Sequence, residues 1–99
     1  MFRHVVMFRW TDATTDDDVA AMASALAGLP AVIPEIRRYE QGPDAGINDG
    51  NFDYAIVADF DAVDGYLVYR DHPMHQQMIA DLVRPIMAER VAVQYEVPA

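Results

Sequence analysis

Phe2-Arg3-His4-Val5-Val6-Met7-Phe8-Arg9-Trp10 alternates without a break. Successive side chains of an extended chain point to opposite sides, so Phe2, His4, Val6, Phe8 and Trp10 share one face. Arg3, Val5, Met7 and Arg9 share the other. The stretch predicts a strand with one strongly apolar face, broken only by a histidine, and a second face that is only half polar. Such a strand needs cover on both sides.

Working outward, Thr11 to Thr15 is rich in turn formers, and Thr15 is placed to cap a helix opened by Asp16-Asp17-Asp18. Three carboxylates there oppose the positive end of the helix dipole and read as a solvated helix start. Val19, Met22, Leu26 and Leu29 form one apolar stripe, and Leu29–Ile33 adds a short turn before Pro34. Residues 36–42 read as a second, mostly polar strand. Residues 42–51 are full of turn formers (Gly, Pro, Asp and Asn) and form a long exposed connection. Residues 53–60 are the third strand, with Tyr54, Ile56, Ala58 and Phe60 on one face and Ala55, Val57 and Asp59 on the other. Residues 62–69 suggest a short helix, interrupted around Arg70-Asp71-His72-Pro73. Pro73 suits the first position of a new helix, which carries His75, Met78, Ile79, Leu82, Val83 and Ile86 and ends near Pro85. Val91 to Val97 alternates again. The order is β-α-β-β-α-β, an α+β arrangement of ferredoxin-like type: a four-stranded antiparallel sheet with both helices on one face.

The chain has 99 residues and reads as a single domain, residues 1–99. Its net charge is −9, from 16 acidic against 7 basic residues. That field repels nucleic acid and anionic membranes, and no basic cluster larger than Arg37-Arg38 offsets it. Cysteine is absent, which excludes disulfides, thiolate metal sites and a cysteine nucleophile. Met1-Phe2-Arg3-His4 runs directly into the strand pattern without the regions of a signal peptide, and no run approaches the length of a membrane span. A cytoplasmic protein is the expectation.

Two histidines interrupt apolar stripes: His4 on the first strand and His75 on the last helix. If those faces pack together, both imidazoles enter one space between sheet and helices. His75 lies near the positive start of its helix, which favours a neutral ring suited to a base or acceptor. His72 reads as a cap or surface residue. No third ligand accompanies His72 and His75, so no metal site is expected, and no cofactor fingerprint or phosphate-binding loop is present. Tyr54, Tyr66 and Tyr69 are the phenols near this space. On one unbroken helix Tyr69 and His75 stand about 240° apart, so only a break at His72-Pro73 lets them share it.

Arg3-His4-Val5-Val6-Met7-Phe8-Arg9, Tyr54-Ala55-Ile56-Val57-Ala58-Asp59-Phe60 and the closing Val93-Gln94-Tyr95 resemble strands of the stress-responsive α/β-barrel (Dabb) family. Tyr69-Arg70-Asp71-His72-Pro73-Met74-His75 is similar to that family's Tyr-x-x-His-Pro-x-His segment. The resemblance implies a protomer whose open sheet face meets its twin in a dimeric α+β barrel. By similarity to the family's plant polyketide cyclases it implies His75 as base and Tyr69 as the group that positions substrate, with His4 in the same cavity. Tyr54 stands where those cyclases carry another histidine, so their substrate does not transfer.

These readings converge on a stress-responsive homodimer with a cofactor-free site for a small hydrophobic molecule. The site is walled by His4, Val6, Phe8, Met22, Leu26, Tyr54, Ile56 and Ile79, with proton abstraction next to a carbonyl as its chemistry. The alternatives are a non-catalytic ligand-binding or structural dimer and a cofactor-free monooxygenase, since one fold serves many functions. A solvent-reaching cavity of about 300 Å³ or more favours the enzyme-like site; a space filled by Phe8, Trp10, Met22, Leu26 and Tyr54 favours the non-catalytic binding or structural dimer. The open face carrying Val5, Met7, Ala55 and Val57 calls for a second copy of the chain, with Arg3 and Arg9 meeting acidic partners across that interface.

Overall fold

β1 (Phe2–Trp10) lies at the centre of the molecule, hydrogen-bonded on one side to β3 (Tyr54–Phe60) and on the other to β4 (Met87–Glu96), both antiparallel. β2 (Arg38–Pro43) adds to the far edge of β3, so the sheet runs β2-β3-β1-β4. This is the ferredoxin-like order, in a computed structural model that describes residues 1–98. Between the strands stand α1 (Asp16–Leu26), the short α2 (Leu29–Val32), α3 (Val63–Asp71) and α4 (Pro73–Met78).

α1 starts where the sequence says it should. The Thr15 hydroxyl accepts from Asp18 N–H and the Asp18 carboxylate accepts from Thr15 N–H, a reciprocal cap that satisfies two otherwise orphan donors. The stripe it presents, Met22 and Leu26, is fully buried against Val6, Phe8, Ile56 and Phe60 of the sheet. Leu29, Ile33 and Val83 complete the core. Gly65 lets α3 come close to β3, because a Cβ there would stand 3.3 Å from the Phe60 Cβ. No helix among the described residues is long and apolar enough to cross a membrane.

Two strands start more than one residue away from the sequence reading. β2 begins at Arg38 rather than Ile36, because Ile36 closes a turn onto the Ile33 carbonyl and sinks into the core. β4 begins at Met87, four residues earlier than the alternation suggests. Its Met87-Ala88-Glu89-Arg90 start has no strand signature, but β1 offers unpaired backbone as far as Trp10, and ladder pairing overrides local preference. A register shift between Arg9 and Trp10 absorbs the extra residue.

The last helix also departs from expectation. It is not one α-helix to Pro85 but α4, then a π-turn (Ile79–Val83), then a 3₁₀ turn (Arg84–Ile86). Proline in an α-helix collides with the carbonyl four residues back, here that of Asp81. The chain widens instead, and Arg84 N–H bonds the Ile79 carbonyl five residues back.

The helices cover one face of the sheet only. On the other, Val57, Val5 and Val93 lie in register across three strands, and Ala55, Met7 and Val91 form the next row. Met7 is 40% and Val93 55% exposed. Arg3 and Arg9 flank these rows and have partners within the chain. Arg3 makes a two-pronged pair with Asp59 at 2.7 and 2.9 Å, and Arg9 stacks 4.2 Å over the Phe52 ring beside Glu89.

Candidate functional site

The break at His72-Pro73 builds the site. His72 leaves the α region (φ −61°, ψ 130°), as the residue before a proline must. Its own ring caps the next helix, Nδ1 accepting from Met74 N–H at 3.1 Å. The re-aimed α4 brings His75 back onto Tyr69, and the two rings stack with centroids 4.1 Å apart. His4 reaches the same place from β1, 5.0 Å from the Tyr66 ring and 6.3 Å from that of Tyr69.

These rings border a cavity of about 170 Å³ that opens to solvent between sheet and helices. Val6, Phe8, Leu26, Ile56 and Ile79 give it apolar walls; Tyr66, Arg70, Gln76, Arg84 and Arg90 complete its lining.

Hydrogen bonds fix the protonation of each ring. A backbone carbonyl can only accept, so the Arg70 carbonyl, 3.2 Å from His75 Nδ1, holds the proton on that nitrogen. The neutral ring therefore keeps a free lone pair on Nε2. Burial lowers the His75 pKa, opposed by its bonds to the Arg70 and Tyr69 backbone. His4 Nδ1 accepts from the Gln94 amide at 2.8 Å, which leaves its proton on Nε2. Burial, helped by the Arg90 charge and by coupling to His75, lowers the His4 pKa to about 4. Both histidines are neutral at pH 7.

Tyr69 is 3% exposed, and its hydroxyl lies 3.1 Å from that of Tyr39 on β2. Burial raises the pKa of both phenols, Tyr69 to about 12. Either hydroxyl can be the donor in this bond. With Tyr39 as donor, Tyr69 keeps its own proton to donate elsewhere.

The family model for the stress responsive A/B barrel domain, Dabb, matches residues 2–97. The chain belongs to the Dabb family. A dimeric ferredoxin-like protein of unknown function from Thermobifida fusca is 46% identical, with a TM-score of 0.89 over 97% of this chain and 90% of that one. A stress-response A/B barrel domain-containing protein of Arabidopsis thaliana is 27% identical over 82 residues, 80% of this chain and 71% of that protein. The hydroxynitrile lyase of Passiflora edulis has a TM-score of 0.86 at 20% identity, over 98% of this chain and 93% of that one, a likeness of fold alone.

Within this Dabb fold, eight of the ten residues singled out from sequence line one cavity: His4, Val6, Phe8, Leu26, Ile56, Tyr69, His75 and Ile79. Met22 and Tyr54 do not. Met22 is fully buried beneath α1, and the Tyr54 hydroxyl is drawn away to Gln41 at 2.8 Å. Sequence reading missed Tyr39, Arg84, Arg90 and Gln94. The alternation that puts Val91, Val93 and Tyr95 on the open face implies Arg90 and Gln94 on the helix side, so two of these were within reach. Arg84 was not. An unbroken α-helix puts it about 180° from His75, and only the π-turn brings it round.

Proposed function

We propose that the chain forms a homodimer through its open sheet face and that each protomer binds a small molecule in the His4–Tyr69–His75 cavity. The paired apolar rows through Val5 and Met7 support the dimer, as does the dimeric state of the Thermobifida relative. The observation that carries the cavity reading is the Tyr69–His75 stack, with the proton of His75 held on Nδ1 by a backbone carbonyl.

The chemistry follows from those atoms. His75 Nε2 takes a proton from the carbon next to a substrate carbonyl, and the electron pair moves onto the carbonyl oxygen. Tyr69, its hydroxyl supported by Tyr39, donates to that oxygen as charge develops. Return of the proton to another carbon completes an isomerisation; attack of the carbanion on a second carbonyl completes a cyclisation. A positioned base contributes about 10²–10⁴-fold.

The test has two stages. Native mass spectrometry against a metabolite extract identifies a ligand, and turnover of that ligand is then compared in wild type and His75→Ala. Loss of about 10²–10⁴-fold with folding intact is expected; full activity in the variant refutes the assignment. The cavity volume favours a second reading, in which the dimer binds a ligand without turning it over. At about 170 Å³ the space is smaller than the roughly 300 Å³ of many ligand sites. A ligand recovered chemically unchanged after long incubation selects that reading.

A further inference from the structure

All seven basic side chains are arginines, and five are held by carboxylates: Arg3 by Asp59, Arg9 by Glu89, Arg37 by Asp61, Arg38 by Glu40 and Arg70 by Asp71. Arg84 and Arg90 have no such partner among the described residues, and both line the cavity. In a chain with 16 carboxylates this is not for want of anions nearby in sequence. Asp81 instead accepts from Gln77 at 2.8 Å, and Glu89, beside Arg90, pairs with Arg9. Two separate devices deliver the guanidiniums. The register of β4 sets Arg90 opposite Phe8 on the helix side of the sheet, and the π-turn brings round Arg84.

No acidic side chain among the described residues lines the cavity. Its walls are apolar, its uncharged polar groups are imidazoles, phenols and an amide, and its charged groups are all arginines: Arg84, Arg90 and the Asp71-paired Arg70. A ligand that suits all of this has an apolar body and an anionic end. Guanidinium forks match carboxylates in a planar, two-pronged geometry. The volume sets the scale, because a dry cavity of about 150 Å³ holds a benzene-sized molecule.

We propose that the cavity takes a small organic carboxylate of about one ring, its carboxylate held by Arg84 and Arg90 and its body set against Val6, Phe8, Leu26 and Ile56. This deepens the small-molecule reading above and rests on it. It also gives His75 and Tyr69 a substrate held in a fixed pose, anchored at one end and reactive at the other.

The probes are benzoate and its neutral counterpart benzamide, titrated into the wild-type protein and followed by nuclear magnetic resonance of backbone and arginine side-chain N–H groups. Benzoate is expected to bind at least about tenfold more tightly, with shifts at the Arg84 and Arg90 Nε–H. In the double variant Arg84→Gln/Arg90→Gln that preference disappears while benzamide binding is unchanged; both positions are exposed, so the fold is kept. Equal affinity for the two probes in the wild type overturns the arginine clamp and leaves the cavity reading standing. Inorganic phosphate that binds as tightly as benzoate and displaces it also overturns the clamp, in favour of a simple anion site. Failure of both aromatic probes to bind at millimolar concentration overturns the cavity reading, and the clamp with it.

Discussion

Acid should destabilise this protein through His4 well before its carboxylates titrate. The ring is 4% exposed and its pKa falls from 6.5 to about 4 on folding, chiefly by burial. The unfolded chain therefore binds the proton first, so the contribution of the neutral ring is complete above about pH 6.5 and is lost as pH falls toward 4. Linkage with these two values gives a loss of about 2 kcal/mol between pH 7 and pH 5, and water at the cavity mouth screens part of it, leaving about 1–2 kcal/mol per protomer. His75, whose pKa is also lowered by burial, adds in the same direction. The perturbation is His4→Asn, whose Oδ1 keeps an acceptor for the Gln94 amide but does not titrate. Urea denaturation at pH 7 and pH 5, at one fixed protein concentration because assembly contributes to stability, reads the difference. Wild type should lose about 1–2 kcal/mol more than the variant over that interval. Equal losses in the two proteins refute the assignment of a buried neutral His4.

Met7→Asp places a carboxylate in the centre of the proposed interface, once from each protomer, and should cost several kcal/mol per dimer; light scattering that shows an unperturbed dimer removes that face from the assembly. Asp59→Ala leaves the Arg3 guanidinium without the partner it holds at 2.7 and 2.9 Å, so the melting temperature should fall by several degrees. Arg3 keeps the Asp59 pKa below its usual value, so the stability this carboxylate supplies is lost as pH falls below the ordinary Asp range. The variant should consequently show a shallower acid limb than wild type in thermal scans.

The linear sequence determined the elements and their order, because those depend on short-range periodicity. Strict alternation in residues 2–10, the Thr15 cap and the proline at 73 each specify local backbone geometry with no help from distant contacts. Alternation also fixed which side chains share a face, so His4, Val6 and Phe8 were legible as one wall of the cavity before any packing was known. The tyrosine and histidine of Tyr69–His75 were legible as a pair for the same reason, since the break that re-aims the chain is written in His72-Pro73.

Pairing between distant segments decided the rest. β4 begins at Met87 because β1 has backbone to pair there, and that register delivers Arg90 to the cavity and Gln94 to His4 Nδ1. Tyr39 meets Tyr69 only because β2 lies beside β3, which carries its helix-side face over α3. Tyr54 leaves the cavity because Gln41, thirteen residues earlier in the chain, offers its hydroxyl a partner. Arg84 enters it because Pro85 cannot continue an α-helix and the chain widens into a π-turn. A sequence states which faces exist; which faces meet is set by hydrogen-bond ladders and by close packing, both of which sum over residues far apart along the chain.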